Sequence, residues 1–65
     1  MEIELLFDCF IIYIDNMNKE TKESICYCLK NINCDFEVKN YEIVVTSNIY
    51  KALFRLSDTY NLYIF

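Results

Sequence analysis

The sequence contains no histidine, glycine, proline or tryptophan. Histidine is the commonest general base and a frequent metal ligand at neutral pH, so its absence removes the usual basis of acid–base catalysis and metal binding. Without glycine, the chain cannot form a P-loop or the glycine turn that holds a dinucleotide. We therefore expect a non-catalytic binding protein with no cofactor and no metal site.

Turns in a chain without glycine and proline fall to asparagine and aspartate, which hydrogen-bond locally and tolerate positive φ. These residues separate the apolar and periodic segments, at Asp15-Asn16, Asn31, Asn33, Asn40, Asp58 and Asn61. Their positions divide the chain into pieces of strand or helix length.

The chain is short and unusually apolar. Its 65 residues predict one domain, residues 1–65, and 55% of them are hydrophobic. A domain of this size buries only about 60% of its unfolded surface, so some of this apolar surface must stay exposed or be covered. We therefore expect either a binding partner or a homodimer.

The charge balance indicates what kind of partner to expect. Ten acidic and six basic side chains give a net charge of −4, and the bases do not cluster. Such a surface repels phosphate backbones, so we expect a protein partner with a basic surface and no direct binding of nucleic acid. An excess of Ile, Asn, Lys, Tyr and Phe over Ala and Gly is typical of an AT-rich genome, such as that of a virus, a mobile element or an AT-rich bacterium.

The N-terminal sequence and the cysteines bear on the cellular compartment. Met-Glu-Ile-Glu lacks the basic segment of a signal peptide, and the apolar run that follows is too short to cross a bilayer. We expect no membrane association and a cytoplasmic protein, in the host cytoplasm if the chain is viral, with four reduced cysteines. Cys26 and Cys28 point to different sides of the predicted first helix, which disfavours zinc binding and favours thiols as small core residues.

Two helices and four strands are predicted from the hydrophobic pattern. Residues 5–15 are apolar at nearly every position and predict a central strand. Helices follow Asn18 and Ser47-Asn48, each with apolar residues at i, i+3, i+4 and i+7, and Asp58-Thr59 should end the second. Residues 34–39 and 41–46 alternate as strands joined by a loop at Lys39-Asn40, and residues 60–65 should form the last strand.

This order is typical of a ferredoxin-like β-α-β-β-α-β fold. The predicted protein is a small α+β sandwich with an antiparallel sheet and both helices on one face. The loop at Lys39-Asn40 places Glu37 opposite Glu42, a like-charge pair that is unfavourable across two strands. If the helices cover the face that carries Phe36 and Ile43, these carboxylates lie on the free face.

The free face is the leading candidate for partner binding. On the first strand we expect the even-numbered residues to point outward, because they include an aspartate. The predicted partner-binding residues are Asp8, Phe10, Ile12, Asp35, Glu37, Glu42 and Val44. The alternative is that these carboxylates form a solvated surface that prevents aggregation of the sheet edge.

A second candidate interface lies on the outer side of the second helix, at Tyr50, Phe54 and Arg55. Aromatic residues beside basic ones are typical of interface hot spots. The alternative is that Tyr50 and Phe54 lie over the shoulder of the helix as part of the core.

Residues 12–17, Ile-Tyr-Ile-Asp-Asn-Met, resemble the first-strand motif of RNA recognition motif domains. The resemblance implies RNA binding, with Tyr13 on the exposed face of the sheet. The strand at residues 41–46 departs from the companion motif, since it lacks the basic, glycine and paired aromatic positions.

Three functions follow from these observations. The first is a small acidic protein that docks on a macromolecule and blocks or regulates it, such as an anti-CRISPR-like inhibitor of a nucleic-acid-handling host system encoded by a virus or mobile element. The second is a nucleic-acid-binding domain, and the third is a homodimeric structural or regulatory subunit.

Overall fold

The computed structural model describes residues 1–60, which form a small α+β domain. Its elements in chain order are β1 Glu2–Leu5, β2 Phe10–Tyr13, α1 Lys19–Asn31, β3 Phe36–Val38, β4 Glu42–Val45 and α2 Ile49–Tyr60. The strands form one sheet in the order β1-β2-β4-β3, and all neighbouring strands are antiparallel.

The predicted single strand at residues 5–15 is wrong, because the chain turns back within it. The N–H of Leu6 donates to the carbonyl of Cys9 at 2.9 Å, and Phe7-Asp8 forms a two-residue hairpin loop. Glu2–Leu5 alternates between polar and apolar residues, as suits a strand with two different faces, and it pairs with β2.

The ferredoxin-like order is not confirmed. The predicted order places the last strand beside the first, but β1 occupies that edge next to β2. Tyr60, predicted to begin the last strand, instead belongs to α2, which continues past the expected stop at Asp58-Thr59. The rest of the predicted last strand, residues 61–65, lies outside the described residues.

Asparagine residues lie at the ends of both helices in this chain without glycine. Asn18 caps α1, and its Oδ1 accepts the N–H of Thr21 at 2.8 Å. Asn33, with φ 57°, closes α1 in a Schellman motif, since its own N–H and that of Cys34 donate to the carbonyls of Lys30 and Leu29. Asn48, with φ 50°, precedes α2 and donates its Nδ2–H to the carbonyl of Asn33 at 3.0 Å.

The β3–β4 hairpin is shifted by two residues from the predicted register. Lys39 N–H donates to the carbonyl of Glu42 at 2.8 Å, so the loop is Asn40-Tyr41 rather than Lys39-Asn40. Glu37 consequently lies opposite Val44, and the predicted pairing of Glu37 with Glu42 is wrong. A shift of two residues leaves every side chain on its predicted face, because side chains alternate with a period of two.

One core lies between the sheet and the two helices. Twelve buried hydrophobic residues form it: Phe10, Ile12, Ile14, Ile25, Leu29, Ile32, Cys34, Ile43, Val45, Ala52, Leu53 and Leu56. Both helices therefore cover the sheet face that carries the even-numbered residues of β2 and the odd-numbered residues of β4.

The predicted outward orientation of Phe10 and Ile12 is wrong, since both side chains are fully buried. The prediction used Asp8 to decide the direction, but Asp8 lies in the hairpin loop and does not share the alternation of β2. Pairing with β4 decides it instead, because Phe10 lies opposite Val45 and Ile12 opposite Ile43. Both pairs face the helices.

Candidate binding face

The side of the sheet turned away from the helices, here called the open face, is the candidate site. Its side chains come from all four strands by the alternation along each strand. The open face comprises Glu2, Glu4, Ile11, Tyr13, Glu37, Glu42 and Val44. At one end, Cys9, Thr46 and Asp35 extend the open face just beyond the bounds of β2, β4 and β3.

An apolar strip occupies the middle of the open face. Ile11 and Val44 lie directly opposite each other on β2 and β4, the two central strands. Both side chains are half-buried, although neither belongs to the core cluster. A partner that covered these two aliphatic side chains would be bound more tightly. Each Å² of apolar surface removed from water stabilises the complex by about 25 cal/mol.

Carboxylates border this strip on both sides. Glu4 on β1 lies beside Ile11, and Glu37 on β3 lies beside Val44. Four strands at the usual spacing put the two edge strands about 14 Å apart. The open face is thus an apolar centre between two acidic margins.

Tyr13 is held on the open face by a carboxylate. Its phenol O–H donates a hydrogen bond to Oε1 of Glu4, one strand away. This hydrogen bond raises the pKa of Tyr13 to about 12, with desolvation and the charges of Glu4, Glu42 and Glu2 acting in the same direction. The arrangement orients the ring along the sheet and places its polar tip among acidic groups.

The excess of acidic over basic side chains lies in one layer of the molecule. The strands and their connections hold seven of the ten acidic side chains and one of the six basic ones, a formal charge of −6. The two helices hold five bases and three acids, a formal charge of +2. The net charge of −4 therefore understates how acidic the sheet layer is.

The structure brings together some of the predicted partner-binding residues and separates others. Glu37, Glu42 and Val44 lie on the open face. Asp35 is at the end of that face, where its backbone N–H donates to Ser47 Oγ at 2.8 Å. Asp8 is exposed in the β1–β2 loop.

Phe10 and Ile12 are unavailable to a partner, because both are buried beneath the helices. The predicted partner-binding residues lack four members of the open face: Glu2, Glu4, Ile11 and Tyr13, of which Tyr13 was placed outward only by the resemblance to the RNA recognition motif. The alternation of Glu2–Leu5 could have identified the first two, had it been recognised as a separate strand.

The β1–β2 loop presents an exposed apolar tip. Leu5, Leu6 and Phe7 are consecutive, and their side chains are 54%, 47% and 104% exposed. Two-residue hairpin loops favour Asn, Asp and Gly, so turn geometry does not explain a phenylalanine at this position. The tip adjoins the open face through Leu6, which pairs with Cys9.

The second predicted interface is also on the surface. Tyr50 and Phe54 are 74% and 63% exposed, and Arg55 is exposed beside them, so the aromatic residues are not part of the core. A shallow cleft of about 400 Å³ lies along this side of α2, lined by Ile32, Lys51, Phe54, Arg55 and Asp58. It holds two basic residues and lies on the helical layer.

The four cysteines are free thiols. Desolvation raises the pKa of Cys34 and of Cys26, and desolvation together with Asp8 and Glu4 raises that of Cys9. Within residues 1–60, no three His, Cys, Asp or Glu side chains are grouped to hold a metal ion. Neither described helix is long and apolar enough to cross a membrane.

Tyr13 points outward, as its resemblance to the RNA recognition motif implies. Its surroundings differ from a nucleic-acid site, because the phenol is hydrogen-bonded to Glu4 and the neighbouring residues across the strands are Glu2 and Glu42.

Comparisons of the chain with protein-family models, curated proteins and solved structures found no match.

Proposed function

We propose that this chain is a non-catalytic protein-binding module that docks on a basic surface of a macromolecular partner and blocks or regulates it. The observation that carries the proposal is the open face, with Ile11 and Val44 between the carboxylates of Glu4 and Glu37. An interface needs an apolar centre that excludes water and a polar margin that matches the charge of the partner. The open face has both.

A specific instance is an inhibitor encoded by a virus or mobile element that occupies the nucleic-acid groove of a host system, as an anti-CRISPR protein does. Two features support this instance. The acidic sheet layer could compete for basic residues that otherwise bind phosphates. The composition is typical of an AT-rich genome.

A tagged pull-down from a lysate of the source organism or its host tests the proposal. The wild-type chain is compared with Glu37→Lys/Glu42→Lys, which reverses two charges on the open face. The matched control is Glu20→Lys/Glu23→Lys, which makes the same change in net charge on the exposed side of α1. A stoichiometric partner that the control retains and the first variant loses supports the proposal, whereas a partner retained by both contradicts it.

The outward position of Tyr13 favours nucleic-acid binding as the second candidate function. In that case Tyr13→Ala should abolish the binding of single-stranded RNA or DNA, and affinity should fall steeply with added salt. Titration of labelled oligonucleotides with the wild-type chain decides between the two. We expect no binding, because the four glutamates of the open face repel phosphate.

Self-association is the third candidate, with the open faces of two copies stacked. The test variant is Ile11→Asp, which places a charge at the centre of the open face and should prevent stacking. Sedimentation of the wild-type chain as a monomer at high concentration would exclude this function. We expect a monomer, because stacking would bring two acidic faces together.

A further inference from the structure

We propose that the partner element that docks on the open face is a basic amphipathic α-helix lying along the strands. This inference rests on the proposed function and specifies its partner. Three observations support it: the width of the apolar strip, the spacing of the carboxylates, and the position of both described helices on the other face of the sheet.

The dimensions of the open face match one helix. An α-helix with its side chains is about 10–12 Å across, and the acidic margins on β1 and β3 are about 14 Å apart. A single helix therefore fits between them, with its apolar side on Ile11 and Val44. A second helix would not fit without covering a margin.

The spacing along the β1 margin also suits a helix. Glu2 and Glu4 lie on the same side of β1, about 7 Å apart along the strand. Successive turns of a helix bring Lys or Arg side chains to one flank at intervals of about 5.4 Å, and these long side chains adapt to the small difference. Lys or Arg on the other flank would meet Glu37 on β3 and could also reach Glu42 on the adjacent strand β4.

The architecture leaves room for a third layer. An antiparallel sheet with helices on one face commonly leaves its other face open to solvent, so a partner element can reach it. Here the described helices cover only the face of Phe10 and Ile43. Helix-in-groove recognition of this kind reads an apolar stripe at i, i+3, i+4 and i+7.

Synthetic helical peptides of about five turns test the proposal. The first carries leucines at i, i+3, i+4 and i+7 with lysine and arginine on both flanks. The second has the same composition with the leucines distributed around the helix. Binding is measured by fluorescence anisotropy at physiological salt, and the first peptide should bind roughly tenfold more tightly. Equal affinity for both would show recognition of charge alone and would overturn the proposal.

Variants of the protein locate the peptide. Glu4→Lys/Glu37→Lys, which alters both margins, should weaken binding roughly tenfold, since each exposed ion pair becomes a repulsion. Glu20→Lys/Glu23→Lys on α1 is the control of equal charge. If the control weakens binding equally, the peptide follows net charge rather than the open face, and the proposal fails.

A second pair of variants tests the role of the apolar strip. Val44→Thr replaces a methyl group by a hydroxyl on the open face and should weaken binding roughly fivefold. Val38→Thr makes the same change on the opposite side of the sheet, where Val38 is exposed, and should have no effect. Amide chemical shifts should change along β2 and β4 on binding. Changes confined to α2 would overturn the proposal.

The peptide experiments and the pull-down test different proposals, and either proposal can fail without the other. If a cellular partner depends on Glu37 and Glu42 while neither peptide binds, the proposed function stands and the helix inference fails. If the amphipathic peptide binds as described but no partner depends on these residues, the proposed function fails.

Discussion

Phe7 and Phe10 are separated by only two residues in the β1–β2 hairpin, yet their environments are opposite. Phe7 is 104% exposed at the loop, and Phe10 is 0% exposed beneath the helices. The difference arises because Phe10 is on the strand position opposite Val45, whereas Phe7 belongs to the turn. The same residue type thus occurs at the two extremes of burial within one hairpin.

Leucine at each position should separate the two roles. Phe10→Leu leaves a void in the core and should lower the free energy of unfolding by roughly 1–2 kcal/mol. Phe7→Leu should change it by less than about 0.5 kcal/mol, because the side chain makes no core contact. Urea-induced unfolding followed by circular dichroism measures both. Equal destabilisation by the two variants would contradict the finding that Phe10 is buried and Phe7 is exposed.

Asn33 should be replaceable by glycine but not by alanine. Its backbone has φ 57°, in the left-handed region that glycine adopts freely and alanine does not. Asn33→Ala should cost about 1 kcal/mol, while Asn33→Gly should be neutral or slightly stabilising. Thermal unfolding gives the comparison, with Asn31→Ala in the last turn of α1 as the control. A stable alanine variant would argue against the Schellman motif.

The Tyr13–Glu4 hydrogen bond should appear in an alkaline titration. The pKa of Tyr13 is about 12 in the folded chain and about 10 in an unfolded one, so the folded state binds the phenol proton more tightly. Stability from this difference is fully present below about pH 10 and is lost as the pH rises through about 12. Phenolate absorbance should show a late step that Tyr13→Phe removes. Glu4→Gln should move that step to lower pH.

Cys34 should react slowly with alkylating reagents at neutral pH. The thiolate is the reactive form, and desolvation raises the pKa of this thiol and reduces its thiolate fraction. The side chain is also buried, with its Sγ 3.8 Å from the carbonyl oxygen of Asn48. Mass spectrometry of the chain treated with iodoacetamide should show Cys34 modified far faster in urea than in buffer. Similar rates in both conditions would show that the core around α2 opens readily.

The helices and the faces of β3 and β4 could be predicted from the sequence, because their signals are local. Apolar residues such as Ile25 and Leu29 repeat at helical spacing, and Asn18 provides a recognisable cap. Phe36, Ile43 and Val45 alternate with polar residues, so their common face survives the error of two residues in the hairpin loop. Periodicity determines the face even where it leaves the register open.

The arrangement around β2 could not be predicted, because it depends on partners distant in sequence. The apolar run at residues 5–15 contains a hairpin whose loop includes Phe7, a residue that rarely marks a turn. Taking Asp8 as part of a strand reversed the orientation of Phe10 and Ile12, so Ile11 and Tyr13 were left out of the predicted partner-binding residues. The pairing of β2 with both β1 and β4 determines where Ile11 and Tyr13 point.

The separation of charge between sheet and helices gives the molecule an electric dipole. A basic surface at a distance attracts the sheet layer and repels the helical one, and the resulting torque turns the molecule before contact. Collisions would then occur mostly with the correct side forward, which raises the association rate without adding a contact. Counterions shorten the reach of this field to about 8 Å at physiological ionic strength. If the open face docks on a basic partner as proposed, the helices, with their modest positive charge, would thus help recognition by a surface that they do not form.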